Sequence, residues 1–135
     1  MNMELLRDEL TRDEGKVLSP YRDSVGKLTI GIGHNLDDKP LSERAVQVIF
    51  EDDLADAMAY LDQKLPWWRT LSDARRRVLV NMTFNMQGKL LGFVRALAAM
   101  KAGDFEEAAN QMHNSMWAGQ VGQRATRLCE MMRRG

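Results

Sequence analysis

One cysteine among 135 residues excludes an internal disulfide. Cys129 falls in an amphipathic C-terminal segment, where it suits a small core or near-surface residue. Neither His34 nor His113 stands in a Cys–His arrangement, so no catalytic thiol is indicated. HExxH and CxxC spacings are also missing, so no metal site or other cofactor is expected. No apolar run approaches the roughly 20 residues that span a bilayer, which argues against stable membrane insertion. The opening MNMELLRDEL is too acidic and too broken by charge for a secretory signal, and points to a chain held in the cytoplasm. Net charge is lacking as well: 19 basic residues balance 19 acidic ones. A nucleic-acid binder is therefore disfavoured, and electrostatic steering is expected to be weak.

What remains is an ordinary globular composition, 44% hydrophobic and 28% charged. The length suits one domain, long enough for a real core and for two lobes around a cleft.

The most informative stretch is Thr11 to His34, TRDEGKVLSPYRDSVGKLTIGIGH. Met3, Leu5, Leu6 and Leu10 predict a short amphipathic helix before it. Gly15 offers the stop, leaving Glu14 on the last turn. Pro20 rules out a continued helix. Leu28 to Gly33 reads as a strand after a Val25-Gly26-Lys27 turn, with Leu28, Ile30 and Ile32 on one face and Thr29 on the other. An antiparallel hairpin would bring Asp23 close to Thr29, with Glu14 approaching from the helix end. Glycoside hydrolysis needs such a pair: one acid to protonate the leaving oxygen, and one carboxylate to activate water or attack the sugar carbon. Two solvated surface acids would show the same spacing, so spacing alone leaves the question open.

Further along, Ser42 is a good N-cap for a long helix to about Lys64, with apolar residues at threes and fours, ended by Pro66. Its Glu51-Asp52-Asp53 run reads as a solvated face. The Trp67-Trp68 pair fits packing at a helix junction better than stacking on sugar. Ser72-Asp73 opens a buried central helix ending at Phe84 to Gly88. Its Arg75-Arg76-Arg77 triplet reads as surface pairing partners, since no basic and aromatic groove pattern accompanies it. Lys89 to Lys101 reads as another apolar helix. Asp104 with Glu107 predicts a capping box for a helix whose inward residues are Phe105, Ala108, Ala109 and Met112. A last helix runs from about Gly122 to Arg133.

Asp13-Glu14-Gly15, Tyr21 with Asp23, and Thr29-Ile30-Gly31-Ile32-Gly33-His34 resemble the phage-type lysozymes, glycoside hydrolase family 24, and in particular their T-even branch. The resemblance resumes at Arg75-Arg76, Asn81-Met82, Phe84 and Met86, and continues through Glu107-Ala108-Ala109, Ser115, Trp117 and Arg124. It implies a mainly α (α+β), lysozyme-like fold in a single domain, 1–135. A small β-hairpin lobe (about 14–41) and a helical lobe (about 66–135) would be joined by the long helix (about 42–64). Helix 1–13 would pack on the helical lobe, and the cleft would lie between the lobes. The segment after His34 is much shorter than in the T-even branch, so the β-lobe is expected to be trimmed.

The resemblance also implies the roles. Glu14 would be the general acid, and Asp23 with Thr29 would hold the attacking water on an inverting route. Asn35, Phe84, Asn85, Gln111 and Arg124 would line the substrate site. Asn85 and Gln111 each stand where the family has the other length of amide. Arg124 would meet Glu14 across the cleft, favouring the ionised acid unless burial or substrate opposes it. His34 and Asp53 would form a structural ion pair that raises the histidine pKa. The implied substrate is the β-1,4 bond between N-acetylmuramic acid and N-acetylglucosamine in peptidoglycan glycan strands. The implied setting is a monomeric endolysin waiting in the host bacterial cytoplasm for a separate pore-forming holin. Two competitors share the scaffold. A lytic transglycosylase needs no water-activating Asp, and a non-catalytic wall-binding or phage structural homologue should have lost an acid.

Overall fold

A computed structural model describes residues 1–135, with the side chains of all but Met116. It is mainly helical with one small antiparallel sheet, the class the sequence predicts. The chain divides into two compact units, Met1–Val48 and Ile49–Gly135.

The first unit opens with α1 (Met3–Glu14), capped by Asn2, whose side chain accepts from the Leu5 N–H. Gly15 ends the helix at φ 77°, donating its N–H to the Thr11 carbonyl. No residue of α1 is buried. Three strands follow in the order β1 (Val17–Arg22), β2 (Leu28–Gly31) and β3 (His34–Asn35). In β1, Val17 faces Gly31 and Tyr21 faces Thr29, so three residues of one strand oppose one of the other. Pro20 sits inside that bulge, where its missing N–H interrupts no regular ladder.

The strand expected over Leu28 to Gly33 stops at Gly31. Ile30 pairs with His34, which leaves Gly31-Ile32-Gly33 as a three-residue hairpin turn. Gly31 and Gly33 have φ of 70° and 69°, a region in which a side chain is strained. Alternation therefore misplaced Ile32, which lies exposed in the turn. The face that closes is the other one, where Thr29 is buried.

The long helix α2 (Glu43–Lys64) runs through the boundary between the units, with the Ser42 hydroxyl accepting from the Ala45 N–H. The second unit continues with a 3₁₀ turn (Trp68–Thr70), α3 (Asp73–Met86) and a second 3₁₀ stretch (Gln87–Gly92). Then come α4 (Val94–Ala102), α5 (Phe105–His113), α6 (Met116–Val121) and α7 (Gln123–Arg134). The Lys89 to Lys101 helix is thus broken, its first turns being the 3₁₀ stretch.

The core of this unit draws on α2 to α7. Leu61, Val78, Leu79, Met82, Leu90, Met100, Met112 and Met132 are fully enclosed. Each such side chain contributes about 1.5–3 kcal/mol by leaving water. Trp68 joins this core and donates Nε1–H to Asp62 Oδ1 at 2.7 Å, which makes it a packing residue. Arg75 corrects the surface reading of its triplet. Its guanidinium lies 3.4 Å from the Phe105 ring centre and donates to the Met132 and Arg133 carbonyls at the end of α7. Arg77 does pair on the surface, with Asp73 at 2.9 Å. The capping box at α5 forms only by half. Asp104 accepts from the Glu107 N–H, but the Glu107 carboxylate accepts from Gln111 instead of reaching back.

Candidate active site

The first unit carries Glu14 at the end of α1, Asp23 in the turn after β1 and Thr29 in β2, each held by a different local device. Glu14 closes α1, and its side chain lies against the hairpin turn. A Cβ placed on Gly33 would fall 2.8 Å from Glu14 Oε2 and 3.1 Å from its carboxyl carbon. Gly33 is therefore needed twice, for its positive φ and for the room it leaves the carboxylate.

Asp23 heads the turn between β1 and β2. Its N–H donates to the Lys27 carbonyl at 2.9 Å, and its Oδ1 accepts from the N–H groups of Val25 (3.0 Å) and Lys27 (2.9 Å). This is an Asx turn, in which the side chain organises the backbone ahead of it. The Thr29 hydroxyl donates to the same Lys27 carbonyl at 2.9 Å. One carbonyl oxygen thus ties Asp23 to Thr29. Thr29 is the sole buried residue of this unit among those described. Its hydroxyl keeps lone pairs that can accept from a water.

His34 and Asn35 form β3. His34 Nε2 lies 3.0 Å from the Lys39 carbonyl, which can only accept, so this nitrogen carries the proton. Its expected partner Asp53 belongs to the other unit, where it lines a 380 Å³ groove with Tyr60, Thr83 and Phe84. Asn35 spends its carboxamide on the following loop: Oδ1 accepts from the Asp37 and Asp38 N–H groups, and Nδ2 donates to Asp38.

The remaining expected substrate residues lie in the second unit. Asn85 and Gln111 line the same groove, of about 970 Å³, together with Trp117, Phe93, Lys89 and Arg95. Asn85 Oδ1 accepts from Trp117 Nε1 at 2.9 Å, and Gln111 donates to Glu107 at 2.7 Å. Phe84 is half exposed and meets Phe50 edge-on at 5.9 Å. Arg124 donates Nε–H to Asn81 Oδ1 at 2.8 Å and lines a second, apolar groove with Phe50 and Phe84.

Cys129 is buried, and burial raises its thiol pKa, with Arg133 opposing it. Among the described residues no group of three or more His, Cys, Asp or Glu is placed to hold a metal ion. No helix among them is long and apolar enough to cross a membrane.

Comparison with known proteins bears on the family of this chain. A family model described as "Phage lysozyme" matches residues 11–134. The pre-baseplate central spike protein Gp5 of Enterobacteria phage T4 is 31% identical over 152 aligned positions, covering 91% of this chain but 26% of that protein. Probable T4-type lysozyme 1 of Dictyostelium discoideum is 26% identical, and probable T4-type lysozyme 2 is 25% identical. Each of those alignments covers 96% of this chain and 94% of the relative. The chain thus spans about a quarter of the spike protein and nearly all of either amoebal relative.

Proposed function

Because the chain belongs to the phage lysozyme family, and with it to the glycoside hydrolases, we propose that it is a peptidoglycan hydrolase that cleaves the β-1,4 bond between N-acetylmuramic acid and N-acetylglucosamine with inversion. The observation that carries this reading is the tie of Asp23 and Thr29 to one carbonyl, on the sheet whose turn glycine makes room for Glu14.

In this mechanism Glu14 gives its proton to the glycosidic oxygen as the bond to the anomeric carbon breaks. Positive charge develops on the sugar ring. Asp23 takes a proton from a water that attacks the opposite face. The turn uses Oδ1 of Asp23 for its own N–H groups, so Oδ2 is the oxygen we assign to the water. The Thr29 hydroxyl accepts a second hydrogen bond from that water and fixes its direction. Inversion requires the carboxyl groups to stand roughly 6.5–9.5 Å apart, so that water fits between sugar and base. No cofactor takes part in these steps. The natural setting is an endolysin that reaches peptidoglycan with the help of a separate pore-forming protein.

The test is clearance of outer-membrane-permeabilised Gram-negative cells, with products identified by mass spectrometry and their anomers by NMR. Free reducing muramic acid ends, initially of inverted configuration, are expected. Anhydro-muramic ends would instead mean a transglycosylase. Glu14→Gln and Asp23→Asn should each lower activity at least about 1,000-fold with the fold intact. Near-wild-type activity in either variant removes that residue from the mechanism.

A further inference from the structure

The segment after β3 is short, and it is bonded to the turn that carries Asp23. Leu36 donates its N–H to the Leu28 carbonyl at 2.8 Å, and Asp37 Oδ2 accepts from the Leu28 N–H at 2.8 Å. Both backbone polar groups of Leu28 are therefore taken by this segment, which extends the pairing of β2 past the end of β3. Asp37 Oδ2 also receives Arg22 across the sheet at 3.4 Å. Asp38 Oδ1 receives the Lys27 ammonium at 3.1 Å. The two carboxylates thus reach Arg22, Lys27 and Leu28, the residues on either side of the Asp23 turn.

Lys27 is the residue through which this acts. Its N–H donates to Asp23 Oδ1, and its carbonyl receives both the Asp23 N–H and the Thr29 hydroxyl. Its ammonium is charged, and it sits close enough to feel Asp23 and Asp37 as well as Asp38. Released from Asp38, that cation would have Asp37 and Asp23 as alternative partners. A carboxylate engaged by an ammonium is a weaker base toward water.

We propose that Asp37 and Asp38 are positioning residues for Asp23. Asp37 fixes the backbone of the turn through Leu28, and Asp38 holds the Lys27 ammonium away from the carboxylate that activates water. This inference rests on the role given to Asp23 above.

The test compares kcat and KM on soluble peptidoglycan fragments, with NMR amide exchange at Val25 and Lys27. Asp37→Ala should lower kcat about 100-fold and Asp37→Asn about 10-fold, with KM within about twofold, and exchange at both amides should accelerate. The Asn variant keeps the shape of the loop if the Ala variant fails to fold. Asp38→Ala should lower kcat about 10-fold, and adding Lys27→Met should restore it to the level of Lys27→Met alone. A residue needed only for folding would not be rescued by deleting its partner. Wild-type kcat in Asp37→Ala and Asp38→Ala overturns the proposal, and so does a loss in Asp38→Ala that Lys27→Met leaves in place. Asp23→Asn run alongside separates the two failures. If it stays active, the site reading falls; if it is inactive while the loop variants behave as wild type, only this proposal falls.

Discussion

Leu79 and Thr29 are both buried, but they are buried by different means. Leu79 sits on α3 in a cluster of buried apolar side chains. Thr29 lies in a sheet of three short strands, and its surroundings are fixed by backbone N–H groups donating to side-chain oxygens: Val25 and Lys27 to Asp23, Leu28 to Asp37, and the loop to Asn35. The second unit draws its stability from area removed from water. The first has little such area and draws its shape from directional contacts, many of them half exposed. Directional contacts place a carboxylate more narrowly than packing does, and they are also easier to lose singly. The expected outcome is a division of labour, in which changes to the sheet unit cost rate and changes to the helical unit cost stability.

The sharpest way to break that division is Gly33→Ala. The added methyl meets the Glu14 carboxyl group and strains a turn at φ 69°. Gly31→Ala carries the same backbone strain at φ 70° with open space around the new atom. Displacing a catalytic group by about 1 Å can cost about 100-fold in rate, so Gly33→Ala should lose about that factor and Gly31→Ala far less. Both should lose about 1–2 kcal/mol of local stability from the backbone alone. Equal kcat values in the two variants would show that Gly33 serves only the turn.

The converse comes from Leu79→Ala. A cavity at the centre of the second unit should cost 2–5 kcal/mol of unfolding free energy, as large-to-small core changes do (about that range). Urea denaturation measures the loss, and kcat per folded molecule should stay within about twofold. A rate that fell with the stability would join what the two units otherwise keep apart.

The same contrast governs what the sequence disclosed. Glu14, Asp23 and Thr29 stand within 16 residues, and their devices are local: a helix stop at Gly15, an Asx turn, a threonine two residues past Lys27. Local devices leave local signatures. Alternation extends the strand into the Gly-Ile-Gly turn because it records side-chain faces and says nothing of the sign of φ. The capping box failed for a competitive reason, since Gln111 one turn on offers Glu107 a nearer donor. α6 carries a local signature too: Ser115 caps it by accepting from the Ala118 N–H. Arg75 could not be found this way. Its acceptors lie 57 and 58 residues away, and no local pattern separates a guanidinium that caps a distant helix from one that faces water. The loop acids Asp37 and Asp38 leave no local signature for a similar reason, because their partners Arg22, Lys27 and Leu28 are 9 to 15 residues away.

The mildest test uses acid. Asp62 accepts from Arg69 and from Trp68, and those hydrogen bonds hold its carboxyl below the ordinary value. Asp38 in the first unit is lowered in the same way by Lys27. A carboxylate with a depressed folded pKa stabilises the fold above its unfolded pKa of about 4, and that contribution fades as pH falls through the folded value. Both groups are exposed, so each contributes little. Asp62→Asn should lower the Tm slightly at pH 7, and the difference from wild type should shrink below about pH 4 and vanish once the native carboxyl is protonated. Asp38→Asn should leave the Tm of the helical unit unchanged across the same range while lowering kcat at pH 7, where the native carboxylate holds Lys27. If instead Asp62→Asn altered kcat and Asp38→Asn did not, the assignment of rate to one unit and stability to the other would be reversed at the very contacts where it is most directly read.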